Sequence, residues 1–391
     1  MKEFSNYNKF GVYIVPLIFM APILGGFLGE AYDYIFYSLI IIPSLSGLYV
    51  IFKYRSINKD IGRVFLLLTF ILYMIFMRYY QLYWGDYGLN KINQIIVIVV
   101  LFMYLMPAIF RSFNDLEIFY LSLFYLSLII ASILVLSYGA SLGRYSIFDA
   151  NPIWMARICG ICGLVGAIML VNSYGGRKKN RVNRSILYLS LLVSMVGIIS
   201  TGSKGPMLSL LLSVLIIVQL KPRLKLSSTF FMLIVIGFLA YIVGVFLFDS
   251  LILERYSAIS IQGSVAEGTR SELYKDGIDL ILRFPFGVGF GGFSDYSVAQ
   301  YPHNLLIEIF AEAGVIVGTV VLVVLSLSFI KAKRLTKVDN TSLDVLVGLF
   351  FYAFMNSMFS GDMISPKLLY FTMALIFIYK DTRLSSIRKT G

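Results

Sequence analysis

A lipid bilayer accepts only segments that satisfy their own backbone hydrogen bonds, and a helix crosses it with about 20 consecutive apolar residues. Runs of this kind fill the 391-residue chain. About twelve are expected, at approximately 10–29, 33–52, 63–81, 93–110, 117–138, 152–173, 185–201, 206–220, 228–248, 303–330, 343–360 and 365–380. The seventh and eighth are short and meet at Thr201-Gly202-Ser203-Lys204-Gly205-Pro206, which reads as a tight turn near one membrane face. With 59% hydrophobic and 14% charged residues, an ordinary soluble domain is excluded. The expected fold is all-α: a polytopic integral membrane protein forming a single transmembrane domain over 1–391.

The net charge of +12 does not mark a nucleic-acid surface, because the basic residues are scattered through short connections instead of forming one face. They orient the chain instead. One set of alternate connections holds Lys91, Arg144, Lys204, Arg255, Arg270, Lys275, Arg283 and Lys367; the other set, which includes both termini and the run Arg177-Lys178-Lys179, holds nearly three times as many. By the positive-inside rule both termini are cytoplasmic, and the one long connection, 251–302 before the tenth span, faces outward. Four cations in that loop run against the topological trend, which makes them candidates for holding an anion. Tyr79, Tyr80, Tyr83, Trp84 and Tyr87 read as an interfacial belt at the outer end of the third span, with Arg78 snorkelling beside them. Cys159 and Cys162, inside an apolar run, read as small packing residues.

Within the loop, Thr269-Arg270-Ser271-Glu272 fits a capping box. The residues after it alternate apolar Leu273, Tyr274, Ile278, Ile281 and Leu282 with polar Lys275, Asp276, Asp279 and Arg283, as expected of an amphipathic helix on the outer membrane surface. Pro285 ends the helix, and the glycines at 287, 289, 291 and 292 permit a tight turn. Arg270, in the first helical turn, is placed to hold a phosphate group by two parallel hydrogen bonds.

Three further positions carry chemistry. Arg157 lies about one and a half turns inside the sixth span, where a charge needs water, an anion or a partner; an ion pair with Glu308 or Glu312 is the structural alternative. Lys204 is either an anion ligand or an interfacial lysine. His303, the single histidine, opens the tenth span with Asn304, and its imidazole titrates near neutral pH. Glu308 and Glu312 share a helical face with Asn304. The spacing of Gly314 and Gly318 reads as a small-residue face that lets another helix approach.

Taken together, Arg270-Ser271-Glu272-Leu273-Tyr274, the run Phe284-Pro285-Phe286-Gly287-Val288-Gly289-Phe290-Gly291-Gly292, and His303-Asn304 followed by Gly314 resemble the signature of the bacterial O-antigen ligase and Wzy-type polysaccharide polymerase superfamily. Ser203-Lys204-Gly205 is similar to that family's Ser-Arg-Gly turn, with lysine in place of arginine. Asn151 to Arg157 resembles the start of a span in the polymerase branch. The resemblance implies a membrane-embedded glycosyltransferase, independent of metal and cofactor, that acts on undecaprenyl-diphosphate-linked oligosaccharide repeat units at the outer face of the bacterial cytoplasmic membrane. His303 and Arg270 are the expected catalytic residues; Arg157, Lys204, Arg283, Asn304 and Glu272 are expected to bind substrate. A chain-length regulator and a flippase of the same pathway are implied partners.

The wider spacing of Gly314 and Gly318 favours a polymerase over a ligase to lipid A core or protein. A transporter is the reading from another class, but no convincing internal repeat is present, and one large outer loop suits a one-sided enzyme. For the proton, His303 competes with the carboxylates Glu272, Glu308 and Glu312.

Overall fold

A computed structural model describes residues 11–21, 23, 31–53, 73, 85–110, 112–137, 145–147, 150–174, 182–220 and 270–379. Among the described residues there is no strand. The helices are α1 (Gly11–Ala21), α2 (Ala31–Lys53), α3 (Asp86–Ile98), α4 (Phe113–Leu136), α5 (Pro152–Tyr174), α6 (Arg184–Ser200), α7 (Lys204–Leu220), α8 (Arg270–Arg283), α9 (Leu305–Leu335), α10 (Thr341–Phe359) and α11 (Lys367–Ile378). Among the described residues, five segments are long and apolar enough to cross a membrane: Asp86–Ala108, Phe113–Leu136, Pro152–Ser173, Leu305–Leu335 and Thr341–Phe359. Five shorter apolar helices accompany them, and each of the ten coincides in position with an expected run. The expected spans at 63–81 and 228–248 lie outside the described residues apart from Tyr73, as do the cap at Thr269 and the aromatic cluster at 79–84.

Polar caps and small-residue faces explain how such greasy helices find their register. Ser112 and Asp115 exchange side-chain to backbone hydrogen bonds at the start of α4, and Asn340 receives the Ser342 N–H at the start of α10. At the centre, α5 packs through Gly160, Gly163 and Gly166. A Cβ at these positions would strike Tyr352, Ser194 and Ser190 respectively. Ser194 Oγ donates to the Cys159 carbonyl at 2.5 Å, so a serine bridges the two helices without leaving a polar atom unpaired. Cys159 and Cys162 are buried free thiols in this interface, as expected.

Two helices depart from expectation in ways that shape the candidate site. α3 begins at Asp86 instead of 93 and continues through a π-helical stretch, Val99–Leu105, into a 3-10 turn, Met106–Ile109. Lys91 is therefore inside a helix and not in a connection. α9, at 31 residues, would be about 46 Å long if straight, against about 30 Å of hydrocarbon. It breaks at Gly314, whose φ of 84° and ψ of 170° are non-helical. The part after the break is apolar and exposed, with Ile316 67%, Val320 58% and Val323 52% open, as a lipid-facing span of about 21 residues should be. The part before it is buried and carries Glu308 and Glu312.

The break is repaired by the glycine loop. In an unbroken helix the Val315 N–H would go to the Ala311 carbonyl. Instead Val315 donates to Pro285 at 2.8 Å, Val288 donates to Ala311 at 3.0 Å and Gly289 donates to Glu312 at 3.0 Å. The Val315 N–H and the Ala311 and Glu312 carbonyls thus find partners across the contact. The loop achieves this only with left-handed backbone at Gly287, Gly289 and Gly291 (φ 89°, 94° and 82°). A Cβ at Gly287 would also drive into the Glu312 carbonyl. Gly314 thus admits the backbone of Phe286 and not another helix, while the position facing Gly318 is the ring of Phe310 from the same helix. This corrects the small-residue reading of that pair.

α8 lies along the first part of α9 with Leu273, Gly277 and Leu280 buried. Gly277 leaves no room for a Cβ beside Ile307, and Leu280 joins Val288, Phe293 and Ala311 in a small apolar cluster. The helix therefore packs on protein with a face rotated from the expected one. Ile278 and Leu282 remain exposed.

Candidate active site at one end of the bundle

Three connections meet at one end of the helices. Asn304 caps α9, its Oδ1 accepting from Leu306 N and Ile307 N at 3.1 Å each, while its Nδ2 donates to the Met358 carbonyl at 3.2 Å. That amide straps the start of α9 to the end of α10, so the residue expected to bind substrate is employed within the protein. Gly205, in the first turn of α7, faces Phe359 at the same end, where a Cβ would sit 3.4 Å from the Phe359 Cβ. Lys204 precedes it and is exposed.

His303 sits at the junction. It is the residue other than glycine with positive φ among the described residues, at 58°. Imidazole-bearing residues visit this region more readily than most, but a left-handed residue between Pro302 and a helix cap fixes the ring's direction at some conformational cost. The ring is half-buried and meets Tyr301 edge-on at 4.6 Å between centroids.

Arg157 reaches the same region from α5. Its Nη2 donates to the Ser360 carbonyl at 2.9 Å, and its guanidinium lies 4.9 Å over the Trp154 ring. Tyr301, Tyr352 and Asp362 are within electrostatic reach. Nε is shielded from solvent with no hydrogen-bond partner among the described residues. The expected alternative, an ion pair with Glu308 or Glu312, does not form.

Those two acids pair with Lys91. Its Nζ is 2.5 Å from Glu308 Oε1, and 2.9 Å and 2.7 Å from the two oxygens of Glu312. Lys91 is 1% exposed and both acids 0%. Buried charges of this kind persist only in a group, and here the group pins α3 to the part of α9 before the break. A carboxylate sealed under the surface and bound to an ammonium is badly placed to take a proton from a sugar hydroxyl. Both carboxylates are therefore engaged within the protein, whereas His303 is half-buried.

Arg270, Glu272 and Arg283 all lie exposed on α8. Arg270 and Glu272 occupy its first turn and Arg283 its last. The structure brings together His303, Asn304, Arg157 and the turn preceding α7 around the end of α10. Sequence reasoning missed Lys91, Asp362 and Lys367. The one signal for the last two was their place in the connection between the final two spans, which the positive-inside count expects to face outward.

Residues 189–323, about a third of the chain, match a family model described as O-antigen ligase, and that stretch is what the chain shares with the family. The match spans α6, α7, α8, the glycine loop and the break in α9, and includes Lys204, Arg270, Glu272, Arg283, His303 and Asn304. Lys91, Arg157, Asp362 and Lys367 fall outside it. No curated protein matches the chain.

Proposed function

We propose that this chain is a polysaccharide polymerase that moves a growing glycan from undecaprenyl diphosphate to the terminal sugar of a lipid-linked repeat unit, at the outer face of the cytoplasmic membrane. The observation that carries the reading is the pairing, at one end of the bundle, of a half-buried imidazole held in left-handed backbone with an arginine whose Nε has no partner among the described residues. The acceptor hydroxyl attacks the anomeric carbon, His303 takes its proton, and the bond from that carbon to the diphosphate oxygen breaks. Undecaprenyl diphosphate leaves, and attack from the opposite face inverts the configuration.

Negative charge grows on the departing diphosphate, so fixed cations stabilise the transition state more than the ground state. Arg157 supplies the half-buried contact, with Lys204 at the same end. Arg270 and Arg283, on the exposed face of α8, draw in the anionic substrate, and Glu272 takes sugar hydroxyls beside them. Asn304 acts by holding His303.

A ligase transferring the finished glycan to another acceptor is the second reading, favoured by the description of the matching family. The glycan profile of a strain lacking the protein separates the two. Single repeat units on the core mark a polymerase. Bare core with long lipid-linked polymer accumulating marks a ligase, and an unchanged profile overturns both.

A further inference from the structure

The Lys91 cluster takes no part in the proton transfer, yet it grips the segment that carries the imidazole. That segment, 305–313, is the part of α9 before the break, and His303 and Asn304 lead into it. Lys91 holds it at two points one turn apart, with Nζ 2.5 Å from Glu308 Oε1 and 2.7 Å from Glu312 Oε2. The two points differ in what they connect to next. The Glu308 N–H donates to the Asn304 carbonyl at 3.0 Å, so a pull on Glu308 passes straight to the residue beside His303. The Glu312 carbonyl accepts from the Gly289 N–H at 3.0 Å, so a pull on Glu312 is shared with the glycine loop.

The start of α3 is a firm anchor for both points. Tyr87, one turn before Lys91, sets its ring 5.4 Å from Nζ. Gly88 meets the glycine loop so closely that a Cβ at Gly291 would stand 2.9 Å from the Gly88 Cα. Lys91 is 1% exposed and both acids 0%, so water cannot stand in for a lost contact. On another side of the segment, Asn304 Nδ2 is tied to the Met358 carbonyl. His303 keeps its φ of 58° beside these ties, and left-handed backbone at a residue other than glycine persists only where the surrounding structure fixes it.

We infer that Lys91 is a positioning residue of the active site. Acting through Glu308, it sets where the His303 ring stands against the substrate, and acting through Glu312 it keeps the glycine loop seated. Lys91 lies outside the matched region. The inference rests on the transferase reading above, in which His303 takes the proton, and extends it to a side chain on another helix.

The chain has a single histidine, so the full chain grown with isotope-labelled histidine, and purified in detergent without a histidine tag, gives the His303 ring its own NMR signal. Glu308→Met and Glu312→Met each remove one attachment and leave Lys91 facing one carboxylate, a smaller loss than stranding both acids. The parent signal is expected away from that of free histidine. Glu308→Met should move it toward free histidine or split it, and Glu312→Met should move it less. Turnover in Glu308→Met should fall by roughly tenfold to a hundredfold, the effect of a displacement of about 1 Å at a reacting group, with KM within a few-fold of the parent. Melting curves confirm folding, and each variant is read below its own melting temperature. If Glu308→Met does not fold, Glu308→Gln decides; it keeps an acceptor without the charge and should give a smaller change in the same direction. A parent-like signal in the deciding variant, or equal movement in the Glu308 and Glu312 variants, overturns the positioning role. A moved signal with full turnover, in a protein that His303→Ala inactivates, overturns it too. Full turnover in His303→Ala removes the base from the transferase reading, and a moved signal in Glu308→Met then still upholds the hold of Lys91 on the ring.

Discussion

Two charged clusters sit near the same end of this bundle and are built on opposite principles. In the first, Lys91 meets Glu308 and Glu312 at 2.5–2.9 Å with all three residues out of solvent. In the second, Arg157 and Lys367 line one cleft, and Asp362, whose Oδ1 Ser365 engages, lies within electrostatic reach of both. Charge inside a membrane protein is costly unless it is matched. A cluster matched within the chain ties helices together, whereas cations that line an open cleft can also meet what binds there. Removing a member should therefore unfold the first and disarm the second.

The largest effect is expected from Lys91→Met. It strands two carboxylates in a buried site, which costs about 3–5 kcal/mol in comparable cases, so the melting temperature in detergent should fall steeply. Lys91→Met with Glu308→Gln and Glu312→Gln should recover most of the loss, because no unmatched charge remains. A single variant that melts with the parent would show that the cluster holds nothing.

His303→Ala should behave in the opposite way, with melting unchanged and turnover down by roughly a hundredfold to ten-thousandfold, the range of a lost general base. The base must be neutral to accept a proton, so the parent rate should fall as pH drops through the imidazole range. His303→Gln should lack that limb. A limb that persists in the mutant moves the proton to a carboxylate.

The contrast between clusters also marks where the sequence could be read. The apolar runs gave the helices, and α8 was visible from its polar alternation and its stop at Pro285. His303 and Asn304 announced themselves as the single histidine and a cap. Lys91 did not, because Asp86-Tyr87-Gly88-Leu89-Asn90-Lys91 is polar enough to read as a connection, and its partner Glu308 is 217 residues away. Arg157 reads from its depth in a span as needing water, an anion or a partner, but charge alone could not show that Lys91 pairs with both acids. The break at Gly314 was hidden by a spacing that suits helix packing. An apolar run too long for one bilayer crossing was the signal that pointed to it.

A middle-sized effect should come from the glycine loop that packs against the break in α9. Gly287→Ala forces a side chain into left-handed backbone and against the Glu312 carbonyl. The local cost is about 1–3 kcal/mol, and it falls on the contact that repairs α9. Hydrogen exchange should quicken at Val288 and Gly289, whose N–H groups make that contact, and turnover should fall with them. Slow exchange there together with full activity would mean that the loop tolerates its own displacement.

The smallest effect should be at Lys204. It is exposed at the start of α7, on the same end as Arg157. A charge so placed attracts an anionic substrate through a medium that screens it over about 8 Å at physiological ionic strength, and exposed pairs of this kind contribute about 1 kcal/mol or less. Lys204→Ala should therefore lower activity only a few-fold, and the deficit should shrink as salt is raised, because the parent loses the same attraction. Arg157→Ala should show a larger deficit that salt does not erase, since the contact it removes is shielded from solvent. Equal salt dependence in the two variants would place Arg157 among the exposed cations and remove the distinction on which its role in holding the diphosphate rests.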